Sequence, residues 1–252
     1  MKALIALKRA LSKNSRKRLW LNFALKGNQV ECPCCKKKFE TFISAGLQKR
    51  ANARCVGCNS LERHRLMWLF LQRETQFFTS KLKVLNVAPE KLFYNKFRAL
   101  SNIDYVSIDL NPDLYDYGSK TIRMDLTDLK FENNTFDVII CNHVLEHVPN
   151  DAAAISEMYR ALKPGGWAMI NVPVDHKRAV TFEDIHINDP KKQLELFGQH
   201  DHVRVYGKDY VDRLRRPGFE VEVFDYTNRF TNNEIFRYGL QKGEEIYLCR
   251  KK

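Results

Sequence analysis

Four cysteines near the start of the chain have the spacing of a metal site. Cys32 and Cys35 form one C-x-x-C pair, Cys55 and Cys58 form a second, and 19 residues separate the two pairs. Each pair can present two thiolates to one ion, and zinc prefers four soft ligands in a tetrahedron. Four sulfurs leave no coordination position open, so the sequence predicts a structural zinc ribbon.

The residues alone leave alternatives to this ribbon. The thiols could stay reduced, or each C-x-x-C pair could act as a local redox pair. Cys34 also lies beside Cys35 and could replace it as a ligand. The two remaining cysteines, Cys141 and Cys249, fall in apolar, strand-like runs and are predicted to be core residues.

Positive charge is concentrated in the same part of the chain. Residues 1–65 contain 16 Lys and Arg but three acids, whereas the rest contains 26 basic and 27 acidic residues. Apolar positions recur between basic ones over residues 2–25, which predicts a basic amphipathic helix or helix pair. This segment either docks on the main domain with a solvated charged face or contacts nucleic acid or an anionic membrane.

Composition excludes several classes of protein. The chain is 44% hydrophobic and 29% charged without a low-complexity tract, which excludes disordered and fibrous proteins. No run of 18 apolar residues is present, so no transmembrane segment is predicted. The first residues lack a small-residue cleavage site, and we therefore expect a cytoplasmic protein.

From about residue 82 onwards, short apolar runs alternate with helical patterns. Seven strands are predicted, at about residues 83–88, 103–109, 121–124, 136–141, 167–172, 219–225 and 245–250. Alternating strands and helices indicate an α/β fold with a doubly wound, mostly parallel seven-stranded sheet. A ligand of such a sheet binds beyond the carboxyl ends of the strands.

These patterns divide the chain into four segments. They are a basic amphipathic helical segment at residues 1–30, the zinc ribbon at 31–60, a connecting helix at 61–80 and the α/β domain at 81–252. Asn59-Ser-Leu-Glu62 resembles a capping box that opens the connecting helix.

Two runs in the α/β domain carry a family resemblance. FDVIICNHVLEHV at residues 136–148 and ALKPGGW at residues 161–167 resemble class I S-adenosylmethionine-dependent methyltransferases of the type 11 group. A subset of that family has an N-terminal four-cysteine zinc ribbon followed by a Ser-Leu-Glu-Arg-His-Arg helix, as at residues 60–65 here. The resemblance covers about 170 residues and implies a Rossmann-like methyltransferase domain with S-adenosylmethionine as cofactor.

The resemblance also implies which residues meet the cofactor. Asp109, with Leu110 beside it, follows the second strand, where a carboxylate can accept both ribose hydroxyls. Asp125 and Leu126 should meet the edge and face of the adenine, while Asn142 and His143 should line the cofactor and the methyl-transfer channel. Two alternatives remain: Asp109 as a strand-end turn residue, and Asp125 as a cap of the following turn.

The loop after the first strand departs from the family pattern. In the family this loop is rich in glycine, so that the backbone approaches the methionine part of the cofactor. Here the corresponding residues contain no glycine and are Asn86, Val87, Ala88, Pro89 and Glu90. The small Ala88 keeps the approach possible, but Pro89 removes a backbone donor.

Histidines after the fourth strand are candidates for a general base. His202 is the first choice, followed by His143 and His176, because histidine titrates near neutral pH. His147 is predicted to be architectural, and Arg204 is a candidate for holding an anionic substrate. The alternative is a polar lid whose histidines are solvated.

The sequence therefore predicts a methyltransferase that acts on a small-molecule or sugar-like acceptor. One alternative is an RNA methyltransferase that uses the basic ribbon segment to bind nucleic acid. A second alternative is a non-catalytic binding module whose first loop has lost the cofactor. The identity of the acceptor and the oligomeric state are not predicted.

Overall fold

The computed structural model describes residues 13–46, 49–114 and 120–252, which form two compact units. The first unit contains residues up to 76 together with 225–244, and the second contains residues 77–224 together with 245–252. The predicted division placed all of residues 81–252 in the α/β domain. In the structure, residues 225–244 pack with the cysteine-containing unit instead.

The described residues of the first unit form three helices and two short hairpins. Its elements are α1 (Lys13–Ala24), β1 (Lys26–Glu31), β2 (Lys38–Phe39), β3 (Ile43–Ala45), β4 (Arg50–Arg54), α2 (Glu62–Glu74), a 3₁₀ turn (Tyr226–Arg229) and α7 (Asn232–Tyr238). β1 pairs with β2 and β3 pairs with β4, both antiparallel. One cysteine pair lies between β1 and β2, and the other follows β4 directly.

In the described part of the predicted basic helical segment, residues 13–24 form α1, but residues 26–30 belong to the strand β1 and not to a helix. Residues 1–12 of this predicted segment lie outside the described residues. Asn22 donates a hydrogen bond to the Val56 carbonyl at 2.8 Å, which joins α1 to the cysteine-containing loops. Leu19, Trp20 and Phe23 are 59%, 65% and 83% exposed, so these apolar side chains of α1 face solvent.

The second unit is built on one seven-stranded sheet. Its elements are β5 (Leu82–Val87), α3 (Lys91–Phe97), β6 (Ile103–Asp109), β7 (Ile122–Arg123), β8 (Phe136–Asn142), α4 (Asp151–Ala161), β9 (Leu162–Asn171), β10 (Phe182–Glu183), α5 (Pro190–Phe197), β11 (Arg204–Val205), α6 (Tyr210–Arg215), β12 (Glu220–Phe224) and β13 (Ile246–Arg250). The sheet order is β12-β13-β9-β8-β5-β6-β7. Only β13 runs antiparallel to its neighbours among these described strands. This confirms the predicted doubly wound, mostly parallel sheet.

The order of the strands places the ligand-binding edge. The chain passes from β5 outward through β6 to β7, then returns to build β8 and β9 on the other side of β5. The carboxyl ends of β5 and β8 therefore form the switch point at which ligands of doubly wound sheets bind. Both strands are buried on both faces because helices cover the sheet, which explains their nearly continuous apolar sequences.

One local element differs from the prediction. The prediction has the fifth strand begin at residue 167, but β9 begins at Leu162. The register between β8 and β9 shifts between Phe136 and Val138, so the glycine turn is an irregularity within the strand pairing. A Cβ at Gly166 would lie 2.8 Å from the Asp137 carbonyl oxygen, so only glycine fits there.

A search of the described residues finds no helix that has both the length and the apolar character needed to cross a bilayer.

Candidate functional site

The switch point is formed by two loops with unusual backbone conformations. Ala88, directly after β5, has φ +42°, and His143, directly after β8, has φ +55°. Both lie in the left-handed region, which costs a residue with a side chain free energy and occurs mainly at functional sites. Ala88 also precedes Pro89, which favours an extended conformation for the residue before it. The glycine-free loop thus retains a backbone shape that glycine would adopt most easily.

Surrounding contacts hold both strained residues in place. The Ala88 amide donates to the Ile108 carbonyl at 2.8 Å, and the His143 amide donates to the Asn171 carbonyl at 2.8 Å. Each loop is therefore anchored to the strand next to its own, and the carboxyl ends of β5 and β8 are rigidly shaped.

A chain of amides and a carboxylate runs along this edge. The Asn142 amide donates to Glu90 Oε2 at 3.1 Å, and Asn142 Oδ1 accepts from the Asn171 amide at 3.3 Å. Asn171 Oδ1 in turn accepts from the backbone of Tyr247 at 3.0 Å. The structure thus brings Glu90 and Asn142, two of the predicted cofactor residues, into direct contact.

Asp109 ends β6 with a buried carboxylate. Its side chain is 7% exposed, and Oδ1 accepts from the Asn111 amide at 2.7 Å. The hydrogen bond at Oδ1 fixes the direction of the carboxylate and leaves Oδ2 for a further donor. Both the predicted ribose role and the strand-end turn alternative are compatible with this geometry. The neighbouring Leu110 is 58% exposed.

Other predicted cofactor residues are placed differently. Asp125 is exposed, and its Oδ1 accepts from both the amide and the hydroxyl of Thr127 at 2.8 Å, so it caps the following turn. Leu126 and Val87 belong to the hydrophobic core. The Asn86 amide donates to the Tyr105 hydroxyl at 3.1 Å. Asn86, Val87 and Leu126 are thus buried, and the adenine roles of Asp125 and Leu126 stay predictions.

His143 is the most accessible polar side chain at the end of β8. It is 28% exposed, and its Nδ1 lies 3.3 Å from Glu146 Oε1. With Nδ1 directed at a carboxylate, Nε2 is the basic nitrogen, as in carboxylate–histidine pairs of general-base catalysts.

A cluster that includes Glu146 lies directly behind His143. Glu146 and His147 belong to a 3₁₀ turn (Leu145–His147), and His202 packs against it with its ring centroid 4.6 Å from that of His147. One ligand atom from each of the three side chains lies within 4.8 Å of the others. The sequence analysis missed Glu146 and treated His147 as architectural, because the third member is far away in the chain.

Burial sets the protonation states in this cluster. Burial lowers the pKa of His202, so its imidazole is neutral near neutral pH. Burial on its own would raise the pKa of Glu146, but the hydrogen bond and charge of His143, a backbone hydrogen bond and the charge of His147 together lower it. The cluster thus combines a carboxylate with a neutral imidazole.

The remaining predicted candidates of this region have structural partners. Arg204 is 1% exposed and donates to the carbonyls of Leu145 at 2.6 Å and Pro149 at 2.8 Å. It is therefore not available for an anionic substrate, which corrects the prediction. His176 is about half exposed, and its Nε2 lies 3.3 Å from Glu245 Oε2.

The four predicted cysteine ligands converge in the first unit. The sulfurs of Cys32 and Cys58 are 3.5 Å apart, those of Cys35 and Cys55 are 3.8 Å apart, and all four lie within 4.8 Å of one another. These separations fit a tetrahedron around an ion with bonds of about 2.3 Å to sulfur. Cys34 lies outside this set, and its sulfur is 3.7 Å from the His64 carbonyl.

The two cysteine turns have the same backbone geometry. In each, the residue four positions after the first cysteine donates to the carbonyl of that cysteine, Lys36 to Cys32 at 2.7 Å and Asn59 to Cys55 at 2.8 Å. Lys36 and Asn59 also have similar positive φ angles of 60° and 63°. The donor set and its symmetry therefore fit a closed, four-sulfur metal site.

The Ser-Leu-Glu-Arg-His-Arg motif supports this cluster. Ser60 Oγ lies 3.2 Å from the Cys32 sulfur, so Ser60 packs on the four-cysteine cluster and does not cap the helix. Instead, α2 begins at Glu62, and the Leu61 amide donates to His64 Nδ1 at 3.0 Å. The fully buried Arg65 donates to the carbonyls of Ser60, Ala53, Tyr238 and Gly239, which joins the two sides of the second cysteine turn to residues 225–244.

Comparison with known proteins agrees with this geometry. A protein-family model described as a methyltransferase domain matches residues 91–170, which contain Asp109, Asp125, Asn142 and His143. The fold is that of class I methyltransferases. The structure of an S-adenosylmethionine-dependent methyltransferase from Archaeoglobus fulgidus covers 77% of this chain and 96% of its own, with a TM-score of 0.52 at 12% identity.

The comparisons do not determine the acceptor. The chain is 33% identical over 73 residues to the ubiquinone biosynthesis O-methyltransferase of Burkholderia ambifaria, and 43% identical over 49 residues to a ubiquinone/menaquinone biosynthesis C-methyltransferase of Coxiella burnetii. These matches cover 29% and 19% of this chain and only 31% and 20% of those relatives. The [4+2]-cyclase SpnF also shares the fold, with a TM-score of 0.52 at 17% identity over 76% of this chain and 83% of its own. Fold alone therefore does not decide the reaction.

Proposed function

We propose that this protein is an S-adenosylmethionine-dependent methyltransferase that acts on a small-molecule or sugar-like acceptor. The observation that carries the proposal is the left-handed backbone of Ala88 at the switch point. Strained residues that are held in place by their surroundings cluster at active sites and ligand-binding loops. The match of residues 91–170 to a methyltransferase domain supports the same conclusion.

The residues of the edge suit the parts of this cofactor. Asp109 would accept the ribose hydroxyls through its carboxylate, which Asn111 holds in place. The Ala88–Glu90 loop would lie against the methionine part, with Glu90 held by Asn142. Glu90 is the carboxylate of this edge that can pair with the cationic amino group of the methionine part.

We propose His143 as the general base, in preference to His202. His143 lies at the end of β8 and is 28% exposed, whereas His202 is 5% exposed and faces the cluster behind it. When bound, the cofactor supplies a methyl group on a sulfonium, which is transferred to the acceptor with loss of the neutral thioether. The chain itself orients the acceptor and removes its proton through His143 Nε2.

The four-cysteine cluster is proposed to hold structural zinc. Its sulfur spacing and its paired turns fit that ion, and four thiolates leave no position for a substrate. Phe39 and Phe42, the aromatic residues of the ribbon, are both 2% exposed and cannot stack on bases, so under the RNA alternative stacking would fall to the exposed Trp20 and Phe23 of α1.

A calorimetric titration of the full-length, zinc-loaded protein with S-adenosylmethionine tests the proposal. We expect micromolar binding that the D109A variant weakens about 10- to 100-fold, because hydrogen bonds to a charged group are lost. D104A is the matched control, since Asp104 is an exposed carboxylate on the same strand. It should bind like the unmodified protein.

Two further outcomes separate the alternatives. Absence of binding in the unmodified protein would overturn the enzyme and favour the non-catalytic binding module. If the cofactor binds, turnover with RNA that falls steeply as salt is raised would replace the small-molecule acceptor by RNA. With the correct acceptor, H143Q should lower kcat about 10²- to 10⁴-fold.

A further inference from the structure

Three potential ligands converge in the second unit from two segments that are distant in the chain. Glu146 and His147 occupy the 3₁₀ turn after β8, and His202 lies just before β11. One ligand atom of each side chain lies within 4.8 Å of the other two. This cluster is separate from the four-cysteine site, which belongs to the first unit.

Two atoms of this cluster are buried without a partner. Glu146 is 2% exposed and His202 is 5% exposed. Among the described residues, Glu146 Oε2 and His202 Nε2 make no hydrogen bond. Buried polar atoms are normally paired, so two such atoms facing one cluster indicate a missing partner.

The opposite atom of each side chain is already engaged. Glu146 Oε1 lies 3.3 Å from His143 Nδ1, and His147 Nδ1 lies 3.2 Å from the Asp201 carbonyl oxygen. With Nδ1 of His147 protonated towards this carbonyl, its Nε2 carries the lone pair. Metal-binding histidines are typically oriented by this kind of outer hydrogen bond.

The two segments are also fixed to each other. The Val203 amide donates to the Glu146 carbonyl at 3.0 Å, and Arg204 donates to the Leu145 and Pro149 carbonyls. The residues on either side of each ligand are therefore immobilised, so the cluster is preorganised and does not depend on a flexible loop.

We propose that Glu146, His147 and His202 bind a divalent transition-metal ion of the zinc type. Two imidazoles and one carboxylate are a donor set that zinc takes in open sites, where the protein supplies three ligands. The fourth position is left for water or for an oxygen of a bound molecule. The ion would satisfy both unpartnered atoms at once.

Titration of the metal-free, full-length protein with cobalt(II) alone tests this site. Cobalt at the four cysteines gives a thiolate-to-metal charge-transfer band, whereas cobalt at a nitrogen and oxygen site gives only ligand-field absorption. We expect the protein to bind a second equivalent of cobalt, whose spectrum shows only ligand-field absorption. H202Q should lose this equivalent and keep the thiolate band, and H200Q, which changes an exposed histidine close by, should lose neither.

The proposal does not depend on H202Q folding. H147Q removes a second ligand whose side chain is 34% exposed, so it is the variant less prone to disturb the fold. If a single equivalent of cobalt, bound at the cysteine thiolates, saturates the unmodified protein, the proposal is overturned. The cluster is then only a hydrogen-bonded Glu–His pair. Retention of the second equivalent in both H202Q and H147Q would also overturn it. Neither result depends on cofactor binding or on methyl transfer.

Discussion

The four-cysteine cluster and the Glu146–His147–His202 cluster are assembled from the chain in different ways. In the first, each half of the donor set comes from one short turn, and the two turns share one backbone geometry. In the second, two ligands come from one turn and the third from a segment beyond β10 and α5. The first is closed by four donors and suits a structural role, while the second supplies three and leaves a position open.

Each cluster is backed by a fully buried arginine that binds main-chain carbonyls. Arg65 holds the second cysteine turn through carbonyls of Ser60 and Ala53, and Arg204 holds the 3₁₀ turn through carbonyls of Leu145 and Pro149. The two arginines differ in their surroundings. Arg204 also forms an ion pair with Glu183 at 2.9 Å. At Arg65, burial lowers the pKa of the guanidinium. Irregular loops near both clusters are therefore held by an arginine, whose planar guanidinium donates several hydrogen bonds at once.

The largest difference between the clusters should appear on loss of a ligand. C55S should release the ribbon metal and, with it, on the order of 10 kcal/mol of metal-coupled folding energy. Amide hydrogen exchange over residues 26–60 should then become fast. H147Q should leave exchange in β8 and β9 unchanged, because the sheet around the open cluster folds through its own core.

C34S is the control for this experiment, since Cys34 is not one of the four converging cysteines and its sulfur lies 3.7 Å from the His64 carbonyl oxygen. It should keep the metal and the slow exchange. Slow exchange in metal-free C55S would contradict the structural role of the ribbon metal.

A smaller effect is expected from exchanging the two arginines for lysine. Lysine keeps the charge but cannot reach several carbonyls at once, so buried acceptors lose their donors. R65K should lower the free energy of unfolding by about 3 kcal/mol and R204K by about 2 kcal/mol, because Arg213 still pairs with Glu183 at 2.8 Å. Chemical denaturation of each variant measures the change.

Arg54 provides the matched control, because it is exposed on β4. R54K should change the free energy of unfolding by less than about 0.5 kcal/mol. Equal effects of R54K and R65K would show that the carbonyl contacts do not stabilise the first unit.

The smallest effect is expected at Ala88, in the strained loop after β5, which contributes no side chain to either cluster. A88G should raise the free energy of unfolding by about 1 kcal/mol, because glycine adopts the φ of +42° without the Cβ penalty. A152G, an exposed helical position on α4, should lower it by about 1 kcal/mol. Thermal unfolding of both variants measures these changes. A lower free energy of unfolding for A88G would show that Ala88 is not strained.

Local spacing explains how much of the molecule could be predicted from the sequence. The C-x-x-C pairs are short turns whose geometry follows from a few neighbouring residues, so their convergence was predictable. The period of the apolar residues likewise predicted the seven-stranded sheet and placed Asp109 and Asn142 at its carboxyl edge. Asp125 and Leu126 were predicted to meet adenine, but a turn cap and the core compete for these side chains.

Contacts between distant segments were decided only by the tertiary structure. No periodicity links Glu146 to His202, and no motif assigns residues 225–244 to the unit held by Arg65. Likewise, the sequence marks Ala88 only as a missing glycine, while its backbone angle depends on the hydrogen bond to the Ile108 carbonyl from the neighbouring strand. Spacing within a turn is encoded locally, but the pairing of two turns depends on the packing of everything between them.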